Sequence, residues 1–203
     1  MTTRSLVTVS AGLSVPSSTR LLADRLTAAA RRALVEAGDE PVVEVVELRE
    51  LAHEMTDQLL TGVPGERLER VQNSLAAADG VIAVSPVFSA AYSGLFKTFV
   101  DLLEPRLLAG TPVLLGATAG SARHSLALDQ TMRPLFAYLG AQVVPTGVVA
   151  ATDDFASDDL SARVDRAGAE LAALVRLAPA PVPTTQPAPA ALTPFEQMLA
   201  GRR

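Results

Sequence analysis

The sequence predicts an α/β fold, a five-stranded parallel sheet in the order 2-1-3-4-5 with helices on both faces, over residues 1–177. Three observations predict it. Short runs rich in β-branched residues alternate with longer runs of helical period. The run "GVIAVSP" from Gly80 is continuously apolar, as a strand covered on both faces is. Parallel neighbours also need crossovers with room for a helix, which the intervening runs supply.

The elements follow in order. Leu6 to Ser10 is the first strand, and Leu22, Leu26, Ala29 and Ala33 recur at helical spacing up to the stop at Gly38. Val42 to Val46 is the second strand, Leu68 to Ala78 a helix, and Gly80 to Pro86 the third strand. Leu95 to Leu103 is a helix apolar nearly all round, which marks either deep burial or a subunit interface. "TPVLLGAT" from Thr111 is the fourth strand, and Leu128, Met132, Leu135 and Leu139 mark the next helix. Val143 to Val149 is the fifth strand, at an edge that tolerates Pro145. Ser157 caps a last helix, with Asp158 and Asp159 in its first turn, running to about Arg176. Five strands suit the flavodoxin-like order better than the six-stranded dinucleotide-binding one. Beyond Leu177, six of the fourteen prolines fall between Pro179 and Pro194. Residues 178–203 therefore read as an extended Pro/Ala-rich tail with a short amphipathic end at Phe195, Met198 and Leu199, or as an ordinary unstructured terminus.

Composition narrows the function. With 49% hydrophobic and 19% charged residues in 203, the chain suits one domain with a sizeable core. A net charge of −5 argues against a nucleic-acid surface. No window holds about eighteen uninterrupted apolar residues, so no membrane span is expected. "MTTRSLVTVS" lacks the pattern of a signal peptide. The absence of cysteine excludes disulfides and a thiol nucleophile, and fits a cytoplasmic location. His53, placed in a loop, has no ligand-spaced partner, so no metal is expected. No His, Cys or carboxylate pair stands out as catalytic.

In an open parallel sheet, ligands bind beyond the carboxyl ends of the strands where the strand order reverses, here between strands one and three. Three loops reach that edge. In "SAGLSVPSSTR", the hydroxyls of Ser10, Ser17, Ser18 and Thr19 and the amides opening a helix form either a phosphate cradle or a hydroxyl-rich cap. It lacks both the Walker "GK[ST]" and the G-x-G-x-x-G spacing. In "SPVFSAAYSGLFKTFVDLLEP", Pro86 opens a loop whose amides suit a planar ligand, and Phe88 and Tyr92 add rings that serve equally well as core. In "GATAGSARHSLAL", the small residues Thr118, Gly120 and Ser121 let a flat ring approach the backbone, with Arg123 and His124 behind them.

Together these stretches resemble the NADPH-dependent FMN reductase family, flavodoxin-like reductases that include the flavin suppliers of two-component monooxygenases. "PVFSAAYSGLFKTFVDLL" carries the most specific likeness; "SAGLSVPSST" resembles the phosphate loop, and "GSARHSLALD" with "MRPLFAYLGA" a G-S-x-x-H region and its continuation. The likeness runs from about residue 5 to 177. It implies that Ser10, Ser17, Ser18 and Thr19 hold the FMN phosphate, that Pro86, Val87 and Phe88 line the ribityl chain and ring edge, and that Thr118, Gly120 and Ser121 lie beside the isoalloxazine. It implies hydride transfer from NADPH or NADH to FMN, a homodimer or homotetramer, and a flavin-dependent monooxygenase as partner. Phe88 stands where the family commonly has Tyr, and Val15 where many members have a basic residue. Weak FMN retention, with FMN as a released substrate, is the expectation. Arg20, Arg106 and Arg123 are the candidates to meet a 2′-phosphate. The competing readings are a bound-FMN quinone, azo or metal reductase and a flavodoxin-type electron carrier.

Overall fold

A computed structural model describes residues 1–178. Strands β1 (Thr3–Ser10), β2 (Glu40–Glu47), β3 (Gly80–Phe88) and β5 (Pro112–Ala119) lie parallel in the order β2-β1-β3-β5. Beyond β5 come β6 (Gln142–Val143) and β7 (Val148–Ala151), both parallel to it, at Pro112↔Gln142 and Gly116↔Val148. They occupy one position, so the sheet has the expected flavodoxin-like order with its fifth strand broken in two.

The break corrects the continuous strand expected over Val143 to Val149, and its cause is local. Pro145 has no N–H to give. The Thr146 amide and hydroxyl instead donate to Glu170, each at 2.7 Å, while the Arg133 guanidinium donates to the carbonyls of Val144 and Pro145 at 2.9 and 3.0 Å.

One face of the sheet carries helices α1 (Ser18–Glu36) and α6 (Asp158–Leu177). Leu22, Leu26, Leu34, Leu160 and Leu171 are buried there against Leu6, Ile82 and Leu114 of the strands. The two helices cross closely: a Cβ on Gly168 would stand 2.7 Å from the Ala29 carbonyl carbon and Cβ. The other face carries α2 (Ala52–Thr61), α3 (Glu66–Ala76), α4 (Gly94–Asp101) and α5 (Arg133–Tyr138), the last continuing a π-turn over Leu128–Met132. Phe96, Phe99, Val100, Met55, Leu75 and Phe136 fill that core, and Phe96 meets Tyr92 and Phe136 with ring centroids 5.9 and 6.1 Å apart. α4 thus sends Phe96, Phe99 and Val100 into the core and ends at Asp101 before the expected Leu103.

Two elements were not anticipated. His53 lies in α2 rather than in a loop; that helix has only Met55 fully buried, so its apolar period is faint. The two-residue strand β4 (Ala91–Tyr92) pairs antiparallel with the end of β3, at Val87↔Tyr92 and Phe88↔Ala91. The expectations for the tail, including Phe195, Met198 and Leu199, lie outside the described residues. Among the described residues no helix is long and apolar enough to cross a membrane.

Candidate functional site

The three loops singled out from sequence meet at the carboxyl edge of β1, β3 and β5. The reason is register: Ser10 pairs with Val84, and Pro86 with Thr118. A hydrogen bond of 2.8 Å between the hydroxyls of Thr19 and Thr118, both buried, ties the start of α1 to the end of β5.

The hydroxyls at the first loop divide their labour. Ser17 is the N-cap of α1 in extended backbone, its Oγ accepting from the Arg20 amide at 3.2 Å. Ser14 donates to the Pro16 carbonyl at 2.9 Å, beside a cis Val15–Pro16 bond. Thr19 is committed to Thr118. Ser18 is exposed, and helix geometry leaves the amides of Ser18 and Thr19 without a carbonyl partner. Ser10 is different: its side chain is buried and its Oγ has no hydrogen-bond partner among the described residues. A buried hydroxyl left unpaired costs about 1–3 kcal/mol. One with an open helix N-terminus beside it is suited to a bound anion.

Sequence reasoning passed over Gly12. It is buried, and a Cβ there would overlap the Ser17 Oγ. The bare Cα is what lets the cap reach its amide. The sequence signal for it was only a glycine between a strand and a cap.

The second loop is a hairpin. Pro86 is buried, Val87 half-buried, and Phe88 exposed by 49%. Ser89 and Ala90 turn the chain with φ of 48° and 66°, a left-handed pair that usually goes to Gly or Asn. Beneath it Ser85, wholly buried, accepts from the Ser93 amide at 2.9 Å, and the Ser93 Oγ caps α4 by accepting from Phe96 at 3.2 Å. The hairpin is held from below and free above. In the third loop Gly120 is exposed, with nothing among the described residues, its chain neighbours aside, within 4 Å of the position a Cβ would take, and Ser121 is half-buried. Phe88 of the hairpin and Gly120 of the third loop thus both lie at the surface.

The three arginines part company. Arg20 donates to Asp24 at 2.8 Å and to Glu47 at 2.6 Å. The Asp24 hydrogen bond, opposed by partial loss of hydration and joined by the charges of both carboxylates, holds its pKa above the ordinary arginine value. Arg106 sits in the connection leading into β5, at the opposite end of the sheet from the site. Arg123 is exposed in the third loop, next to a half-buried His124. No cluster of three metal-ligating side chains occurs among the described residues.

A buried spare hydroxyl, amides at a helix start and an open small-residue ledge suit a phosphate-bearing planar ligand such as FMN. Comparison with known proteins agrees. Residues 5–156 match the family described as NADPH-dependent FMN reductase. The FMN reductase (NADPH) of Pseudomonas aeruginosa is 37% identical over 175 residues, covering 83% of this chain and 90% of that protein. The NADH-dependent FMN reductase SfnE of Pseudomonas putida is 34% identical over 175 residues, covering 85% and 87%. The crystal structure of an oxidoreductase from Corynebacterium diphtheriae superposes with a TM-score of 0.86 at 44% identity, over 88% of this chain and all of that one. The chain belongs to the NADPH-dependent FMN reductase family.

Proposed function

We propose that this FMN reductase takes FMN as an exchangeable substrate, binding its phosphate at the start of α1 and its ring on the ledge between the hairpin and the third loop. The buried, unpartnered Ser10 hydroxyl is the observation that carries this reading. Ser10, Ser17 and Ser18, with the amides of Ser18 and Thr19, hold the phosphate; Thr19 holds the cradle in shape through Thr118. Pro86, Val87 and Phe88 line the ribityl chain and ring edge, and Thr118, Gly120 and Ser121 carry the ring. FMN, when bound, is the hydride acceptor, and NADPH or NADH the donor. The protein's part is then to orient two planes and offer amides to negative charge. On this reading no side chain need move a proton.

The exposed hairpin and open ledge favour exchange over permanent retention. Oxidation of NADPH by the pure protein under air, scanned over added FMN, tests this. A rate near zero without FMN that saturates with it supports a released product. A yellow protein whose rate ignores added FMN would establish the bound-flavin quinone, azo or metal reductase instead, and no oxidation at all an electron carrier.

The assembly we propose is a homodimer or homotetramer in the cytoplasm, handing reduced FMN to a flavin-dependent monooxygenase. Residues 1–177 constitute the reductase. Deletion of residues 178–203 leaves FMN reduction intact and, if the tail docks the monooxygenase, lowers coupled turnover.

A further inference from the structure

Among the described residues, one cation sits on the first turn of α1 beside the proposed phosphate site, and it is engaged by carboxylates. Arg20 lies on the first turn of α1, and its amide is the donor that Ser17 caps. Its guanidinium is held by two carboxylates, Asp24 on the next turn at 2.8 Å and Glu47 at the end of β2 at 2.6 Å. Glu47 is itself committed, since its second oxygen accepts from Arg49 Nε at 2.9 Å and its side chain is only 18% exposed.

Glu47 is also a neighbour of the site. It pairs in register with Ser10. Both residues face α1: Thr8, two positions before Ser10, bonds Thr27 on that helix, and Glu47 bonds Arg20. A carboxylate therefore stands one strand away from the unpartnered Ser10 hydroxyl. Arg20, Arg49, Asp24 and Glu47 sum to no net charge. Arginine–carboxylate bonds are short and roughly twice as strong as neutral ones, so an incoming phosphate would have to compete for the Arg20 fork.

We propose that Glu47, assisted by Asp24, is an affinity-determining residue that keeps Arg20 off the FMN phosphate, so that uncharged donors alone hold it and FMN is released readily. The inference rests on the phosphate site proposed above. Glu47 and Asp24 are positioning residues, acting through Arg20.

The test is a binding titration of FMN and of riboflavin, which lacks the phosphate, read by flavin fluorescence without nicotinamide so that no turnover occurs. Glu47→Gln is expected to tighten FMN about tenfold, the size of one charge-assisted hydrogen bond, and to leave riboflavin unchanged. Arg20→Gln alone moves FMN affinity by less than about twofold, and Arg20→Gln with Glu47→Gln loses the tightening, as a coupled pair must. Asp24→Asn, at an exposed position, shifts FMN in the same direction by less and serves if Glu47→Gln does not fold. An unchanged or weaker FMN affinity in the soluble carboxylate variant overturns the inference, and so does equal tightening of riboflavin. Tightening that persists without Arg20 overturns it too, because Glu47 would then act by its own repulsion. If the wild-type protein binds riboflavin as well as FMN, the underlying phosphate site fails, an outcome distinct from those of the variants.

Discussion

The two ends of the candidate site are built on opposite plans. At the phosphate end most hydroxyls have an assigned partner: Ser17 caps α1, Thr19 joins Thr118 and Ser14 closes on Pro16, while Ser18 faces solvent and, among the described residues, Ser10 is the one left both buried and unpaired. At the ring end the contacts lie underneath, through Ser85 and Ser93, while Phe88 and Gly120 face outward. One end, on the reading proposed above, is a fitted socket for a small anion. The other is a shelf. A reductase working as proposed, seating two planar molecules and releasing reduced flavin, needs its precision at the anchor and its openness where the rings pass.

Substitutions can break this contrast, and the largest effect is expected at Gly12. Gly12→Ala drives a methyl into the Ser17 Oγ. The cap rotates away or the loop shifts, costing about 1–3 kcal/mol of stability. FMN affinity measured by titration falls more than about tenfold, with riboflavin much less affected.

Ser10→Ala sharpens the contrast further, because it separates binding from folding. With the orphan hydroxyl removed, the free protein unfolds at the same or slightly higher denaturant concentration, since an unmet desolvation cost disappears. FMN affinity nonetheless drops about tenfold, one hydrogen bond to a charged group. Loss of both stability and affinity would place Ser10 in the scaffold rather than the socket.

The smallest effect is expected on the shelf. Ala90→Gly relieves a left-handed residue with a Cβ, raising stability by about 1 kcal/mol in chemical denaturation. It leaves the FMN phosphate contribution, the ratio of FMN to riboflavin affinity, where it was. A changed ratio would mean that the hairpin and the socket communicate.

The sheet was legible because strands buried on both faces are written as continuous apolar runs, as "GVIAVSP" is. α2 was not, because a helix with one fully buried side chain has little period to read. The broken fifth strand was half legible. Pro145 announced an edge, but the pull of Glu170 and Arg133 on the gap comes from residues far along the chain. The site shows the same limit. A cluster of hydroxyls before a helix was visible, yet which one stays free depends on Thr118, 99 residues away from Thr19, and on a capping geometry that needs Gly12 bare. Glu47 offered no sequence signal, since only the register of β1 against β2 brings it beside Ser10.

The close crossing of α1 and α6 has a bearing on how the protein tolerates change. α1 carries the proposed socket at its first turn, and Gly168, near the middle of α6, sets how near α1 lies to its neighbour. An added carbon there pushes on a 19-residue helix whose tip is the proposed anion site. Selection for tight or loose flavin binding therefore has a handle on the far helix, in residues that touch no ligand. A library screened for altered FMN affinity should return α6 substitutions alongside those in the loops.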